Sequence, residues 1–92
     1  MEEFEIRYSQ TFADSVEQMI ERWKAVGLPI VQIQHYLTIV EVAIDSLRYW
    51  PNRFAEVSDQ YGFNAATRRV LIGDQYAIFY RVDVKRKVVL VG

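Results

Sequence analysis

Residues 67–72, 75–82 and 88–91 are three short runs of strand-forming side chains, separated only by Gly73-Asp74 and the stretch 83–87. Connections this short force neighbouring antiparallel strands, so the end of the chain is expected to be a three-strand meander. Gly73-Asp74 reads as a two-residue hairpin loop, which puts Ile72 opposite Gln75 and fixes both faces of the sheet at once. One face then carries Thr67, Arg69 and Leu71 beside Tyr76, Ile78, Tyr80 and Val82; the other carries Arg68, Val70 and Ile72 beside Ala77, Phe79 and Arg81. The first face is richer in large apolar groups and is expected to pack on helices. The second is also largely apolar, with arginines at its rim, which is the character of a partner site. The alternative is that the irregular stretch 51–66, with Phe54, Val57, Tyr61 and Phe63, folds over it.

Upstream, Phe4, Ile6 and Tyr8 alternate with Glu3, Glu5 and Arg7, the pattern of a strand with one buried face. Ser9 offers a helix cap, and Phe12, Val16, Met19 (or Ile20) and Trp23 follow at helical spacing, which predicts a helix over 10–25. Gly27 stands at a C-cap position and Pro29 in the first turn of a second helix. That helix has an apolar stripe of Ile30, Ile33, Leu37, Val40, Ile44 and Leu47 and must stop by Trp50, because Pro51 follows. The expected architecture is α+β: strand, helix, helix, then the meander, with the helical hairpin on one face of the sheet, as a single domain over 1–92.

Composition narrows the chemistry. A chain of 92 residues buries only about 60–65% of the surface it exposes unfolded. With no cysteine and one histidine, the sequence has no thiolate nucleophile, no disulfide scaffold and too few ligands for an imidazole zinc site. The four glycines are scattered, so no phosphate-cradling loop and no cofactor is expected. No apolar run approaches the roughly 20 residues of a membrane span, and the acidic opening is unlike a signal peptide, so a cytoplasmic location is expected. The net charge of −1 conceals a split: residues 1–67 hold five basic against ten acidic side chains, and residues 68–92 hold six against two. The basic end could face an acidic partner or nucleic acid.

The stretches Ile44-Asp-Ser-Leu-Arg-Tyr-Trp-Pro51, Arg68-Arg-Val-Leu-Ile-Gly-Asp-Gln-Tyr-Ala-Ile-Phe-Tyr-Arg-Val-Asp83 and Val88-Val-Leu-Val91 together resemble the RelE/ParE superfamily of bacterial type II toxins. The run Ala43-Ile-Asp-Ser-Leu before an aromatic-Pro pair is closer to the ParE branch. The resemblance implies a toxin neutralised by a short wrapping antitoxin, in a hetero-oligomer of the two. In the ParE branch the toxin poisons DNA gyrase without being an enzyme; in the RelE branch it cuts messenger RNA on the ribosome. Of the basic groups the ribonucleases use, Arg68 matches the one on the first meander strand, whereas Ala77 stands where another arginine follows the tyrosine of the second strand. A basic residue and a tyrosine in a tail beyond the last strand have no counterpart, since the sequence ends at Gly92. Loss of one preorganised charge contact typically costs about 2.7–4 kcal/mol of transition-state stabilisation, which disfavours RNA cleavage. A non-toxic relative lacking that tail, or a homodimer, is the further alternative.

The expected partner surface is therefore Val70, Ile72, Ala77 and Phe79 with Arg68 and Arg81 at its rim, and Arg68 is the one family-matched catalytic candidate. A nucleic acid would instead be met by Arg68, Arg81, Lys85, Arg86 and Lys87. Lys85, Arg86 and Lys87 also read as a solvated turn. His35 lies about 200° round the second helix from Ile33 and is expected on its solvent side. Trp23, Trp50, Tyr76 and Tyr80 could stack bases but match core-facing positions, so they are taken as packing.

Overall fold

The computed structural model describes residues 3–73 and 76–92. Strand β1 is Glu5–Tyr8, helix α1 Gln10–Ala25 and helix α2 Ile30–Asp45, continued by a 3-10 turn, Ser46–Arg48. A one-turn helix α3, Ser58–Tyr61, precedes the strands β2, Arg68–Ile72, β3, Tyr76–Asp83, and β4, Val88–Val91. Among the described residues the sheet has four strands in the order β1-β4-β3-β2, so the protein is α+β. It is not a simple meander. β2, β3 and β4 run antiparallel in sequence, but β1 closes the other side parallel to β4, with Glu5 opposite Val88 and Tyr8 opposite Val91.

The helices begin and end on local chemistry. Ser9 Oγ accepts the Phe12 N–H at 3.0 Å, which satisfies one of the free donors at the start of α1. At its other end Leu28 N–H bonds Trp23 O and Gly27 N–H bonds Lys24 O, both at 3.0 Å, with Gly27 at φ 83°. This paired closure needs a left-handed residue, a role glycine fills without steric cost. Pro29 is the residue before α2 (φ −58°, ψ 142°), so the helix starts at Ile30 rather than including the proline.

The core lies between the helices and one face of the sheet: Phe4, Ile44, Leu47, Val70, Ile72, Ile78, Tyr80, Val89 and Val91 form a continuous buried cluster. The register that builds it differs from the expected one. Ile72 stands opposite Tyr76, Leu71 opposite Ala77 and Val70 opposite Ile78, one residue away from a two-residue loop. The expected pairing partner Gln75, and Asp74 of the expected turn, lie outside the described residues. Because side chains alternate with period 2, this slip moves Arg68, Val70 and Ile72 onto the face that holds Tyr76, Ile78 and Tyr80. Val70 and Ile72, expected on an open partner face, are 3% and 5% exposed in the core. What remains on the other face is Thr67, Arg69 and Leu71 with Ala77, Phe79 and Arg81.

Tyr80, 1% exposed, joins this core to the irregular stretch: its hydroxyl donates to Pro51 O at 2.7 Å. Burial raises its phenol above the ordinary tyrosine value, against the opposing pull of the Arg68 charge. The neutral phenol is therefore the form the fold favours. Its stabilisation is complete below about pH 10, where the unfolded tyrosine is also protonated, and is lost as pH rises through the folded value. Tyr80→Phe should cost about 1–3 kcal/mol by leaving a buried carbonyl without its donor, and should flatten the alkaline fall in stability; chemical denaturation at neutral and alkaline pH measures both. Gly27→Ala should cost about 1–2 kcal/mol through the left-handed backbone, seen as a lower denaturation midpoint with an unchanged slope.

Candidate functional site

β3 is twice as long as the ladder it shares with β4. β4 pairs with Tyr80–Asp83, Gly92 N–H adds one bond to Phe79 O at 3.0 Å, and among the described residues no further pairing follows on that side. In an antiparallel ladder alternate residues turn their N–H and C=O to the same edge, so Ala77 carries the next pair of groups after Phe79 and faces no strand among the described residues. α1 runs past this notch. Its exposed-to-half-buried side, Thr11, Phe12, Val16 and Met19, forms one wall of an apolar cleft of about 250 Å³. Tyr76, Ala77, Ile78 and Phe79 form the other wall, with Tyr36, Val40 and Ile72 at its base.

The cleft is open because α1 is only partly packed: none of its 16 residues is buried. One polar group is left over in it. Tyr36 Oη is buried and has no hydrogen-bond partner among the described residues. Its ring is held edge-on against Trp23 at 5.0 Å and Tyr76 at 5.5 Å, and burial, with the neighbouring Tyr76, raises its phenol above the ordinary value. A neutral hydroxyl in an apolar cleft is a donor in need of an acceptor.

The opposite face of the sheet is not bare. Tyr61 and Phe63, from α3 and the residue after its glycine cap, pack edge-on against Phe79 at 5.1 and 5.5 Å. Arg69 Nη1 donates to Tyr61 Oη at 2.7 Å and lies over that ring. The stretch 51–66 thus folds over Phe79, which is half-buried, and leaves Leu71, 59% exposed, and Leu90, 42% exposed, at the margins. The same stretch covers the outer edge of β2: Val57 N–H bonds Thr67 O at 2.8 Å, Arg69 N–H bonds Ala55 O at 3.3 Å, and Glu56 bridges Arg68.

The cationic candidates do not converge. Arg68 stands beside Tyr80 on the core side, and Arg81, the next residue along β3, points to the other face, whereas both were expected on one. Arg68 Nη1 donates to Phe54 O at 2.6 Å and Asn52 O at 3.2 Å, so it clamps the loop. Arg81 Nε donates to Thr67 Oγ1 at 3.2 Å. Lys85, Arg86 and Lys87 belong to the β3–β4 turn, where Arg86 pairs loosely with Asp83 at 3.8 Å. His35 is exposed on α2, Trp23, Tyr76 and Tyr80 pack inward, and Trp50, expected to pack, is 55% exposed. Among the described residues no group of three His, Cys, Asp or Glu side chains is placed to hold a metal ion, and no helix is long and apolar enough to cross a membrane.

Sequence reasoning reached Ala77 and Phe79 but missed the α1 wall and Tyr36. The signal was present in the unequal lengths of the second and third meander runs, which leave part of the longer strand unpaired. Compared with known protein families, with curated proteins and with solved structures, the chain matches none. Arg68→Ala should cost about 1–3 kcal/mol and expose the 52–56 segment to limited proteolysis, because two carbonyls lose a charged donor. Arg81→Ala, at an exposed position, should stay within about 0.5 kcal/mol in the same thermal melts.

Proposed function

We propose that this chain is a RelE/ParE-like toxin, nearer the ParE branch, that works by protein binding and is neutralised by an antitoxin. The sequence resemblance suggests the family, and the α+β architecture with a helical hairpin on the sheet is compatible with it. The single observation that carries the binding reading is the apolar cleft between α1 and the unpaired edge of β3. An extended antitoxin segment laid there adds a strand beside Ala77, buries apolar side chains against Phe12, Val16 and Met19, and offers a carbonyl to Tyr36 Oη. On this reading the partner lies in the cleft rather than across Val70 and Ile72, which the core already uses.

Inhibition of a target protein such as DNA gyrase fits better than RNA cleavage. Arg68 is committed to two backbone carbonyls, and Ala77 supplies no charge at the position where the family's ribonucleases carry one. Arg68 lies on the face opposite Arg81, and Arg69 and Arg81, which share a face, bond Tyr61 and Thr67, so among the described residues these arginines are not gathered to stabilise a pentacovalent phosphorus.

Co-expression with the product of an adjacent short reading frame should give a stable complex, and Met19→Glu should weaken it at least about tenfold by placing a charge in the cleft. Circular dichroism of the variant confirms that the fold is kept. Expressed alone, the wild-type chain should arrest growth and inhibit gyrase supercoiling while leaving messages on translating ribosomes intact. Cut messages would favour the ribonuclease reading, and normal growth would favour a non-toxic relative.

A further inference from the structure

The cleft between α1 and β3 holds a chemical demand that its unpaired strand edge does not account for. Ala77 belongs to its wall, whereas Tyr36, with Val40 and Ile72, lies at its base. Tyr36 Oη is buried and has no hydrogen-bond partner among the described residues. Trp23 and Tyr76 hold its ring edge-on from two sides, at 5.0 and 5.5 Å, so the phenol is fixed in place. An unmet buried donor is destabilising, and whatever brings it an acceptor recovers that loss. Water answers the demand poorly. A trapped water needs about two to four polar partners, and the side chains of Val40 and Ile72 add none to the phenol.

We propose that the cleft binds a small uncharged molecule: a flat apolar body with one ketone or amide oxygen that accepts a hydrogen bond from Tyr36 Oη. Size, shape and charge select this class. The cleft holds about 250 Å³. An apolar cavity of about 150 Å³ admits benzene, so on the same scale this one takes roughly two fused rings. Phe12, Tyr36, Tyr76 and Phe79 line it, and their edges and faces favour an aromatic guest over a flexible aliphatic chain. Among the described residues no lining side chain is charged, so a carboxylate or an ammonium group would be desolvated there without a counter-charge. Nothing in these terms requires a polypeptide. The binding is independent of the toxin reading; that the ligand displaces an antitoxin segment from the same walls rests on it.

Methyl naphthyl ketone, its hydrocarbon isostere isopropenylnaphthalene and the charged naphthoate are the probes. Each is titrated into the isotope-labelled full chain and followed by amide NMR. The ketone should bind with a dissociation constant in roughly the hundreds of micromolar and move the amides of residues 11–19, Ala77 and Phe79. Shifts that do not saturate, or that centre elsewhere, overturn the proposal. The naphthoate should bind at least about tenfold more weakly, and equal binding overturns the selection of a neutral ligand.

Tyr36→Phe should weaken the ketone by about three- to tenfold and leave the isopropenyl compound unchanged. An equal loss for both, or none for either, overturns Tyr36 as the group that reads the acceptor. The melting temperature of this variant should be the same or higher, because it deletes the unmet donor. Should it nevertheless fail to fold, Met19→Glu is the second probe: it should weaken both neutral compounds at least about fivefold, and unchanged binding overturns the site. These titrations use the chain without a partner, so their failure leaves the antitoxin reading standing. An antitoxin complex that the bound ketone does not weaken overturns only the shared use of the walls.

Discussion

The pairing of Ile72 with Tyr76 fixes nearly everything else in this molecule. It brings Val70, Ile72, Ile78 and Tyr80 to one side, where Leu47 and Ile44 of the helical layer close over them. A slip of one residue would put Arg69 and Leu71 into that layer and turn two of the best-packed side chains toward water. Burial of Tyr80 then recruits Pro51, and the loop that begins there returns to cover Phe79 and to pair with β2. A single choice of register thus decides where the core is and which groups the irregular stretch must shield.

Much of the architecture was legible in the sequence, for local reasons. Alternation over Phe4 to Tyr8, the Ser9 cap, the 3.6-residue stripe of α2 and the break before Pro51 are signals carried by a few neighbouring residues. The parallel pairing of β1 with β4 was not, because it joins residues about 80 positions apart and no turn dictates it. The register error has the same origin. Gly73-Asp74 looks like a complete two-residue turn, but the observed alignment buries Val70 and Ile72 beside Ile78 and Tyr80, where the two-residue turn would have put Arg69 and Leu71. Burial of two apolar side chains outweighed turn chemistry.

The candidate site was legible only in outline. Apolar residues on the meander pointed to unused surface, and Ala77 and Phe79 do border it. The expectation of an open face failed because the alternative holds there: the stretch 51–66 folds over it, with Tyr61 and Phe63 packed on Phe79. The cleft consists of a notch at the end of a ladder and one wall of α1, features defined by where strands stop rather than by which residues they contain.

Residues 55–57 sit alongside β2, and on the far flank β1 is four residues long with Glu5 and Arg7 ion-paired along one of its faces at 3.1 Å. Both outer margins are thus poor templates for runaway polymerisation. An extended chain finds unpaired backbone groups within the sheet instead, at the gap beside Ala77. Such a layout favours closed one-to-one assemblies over fibrils, even in a molecule that keeps so much grease near water.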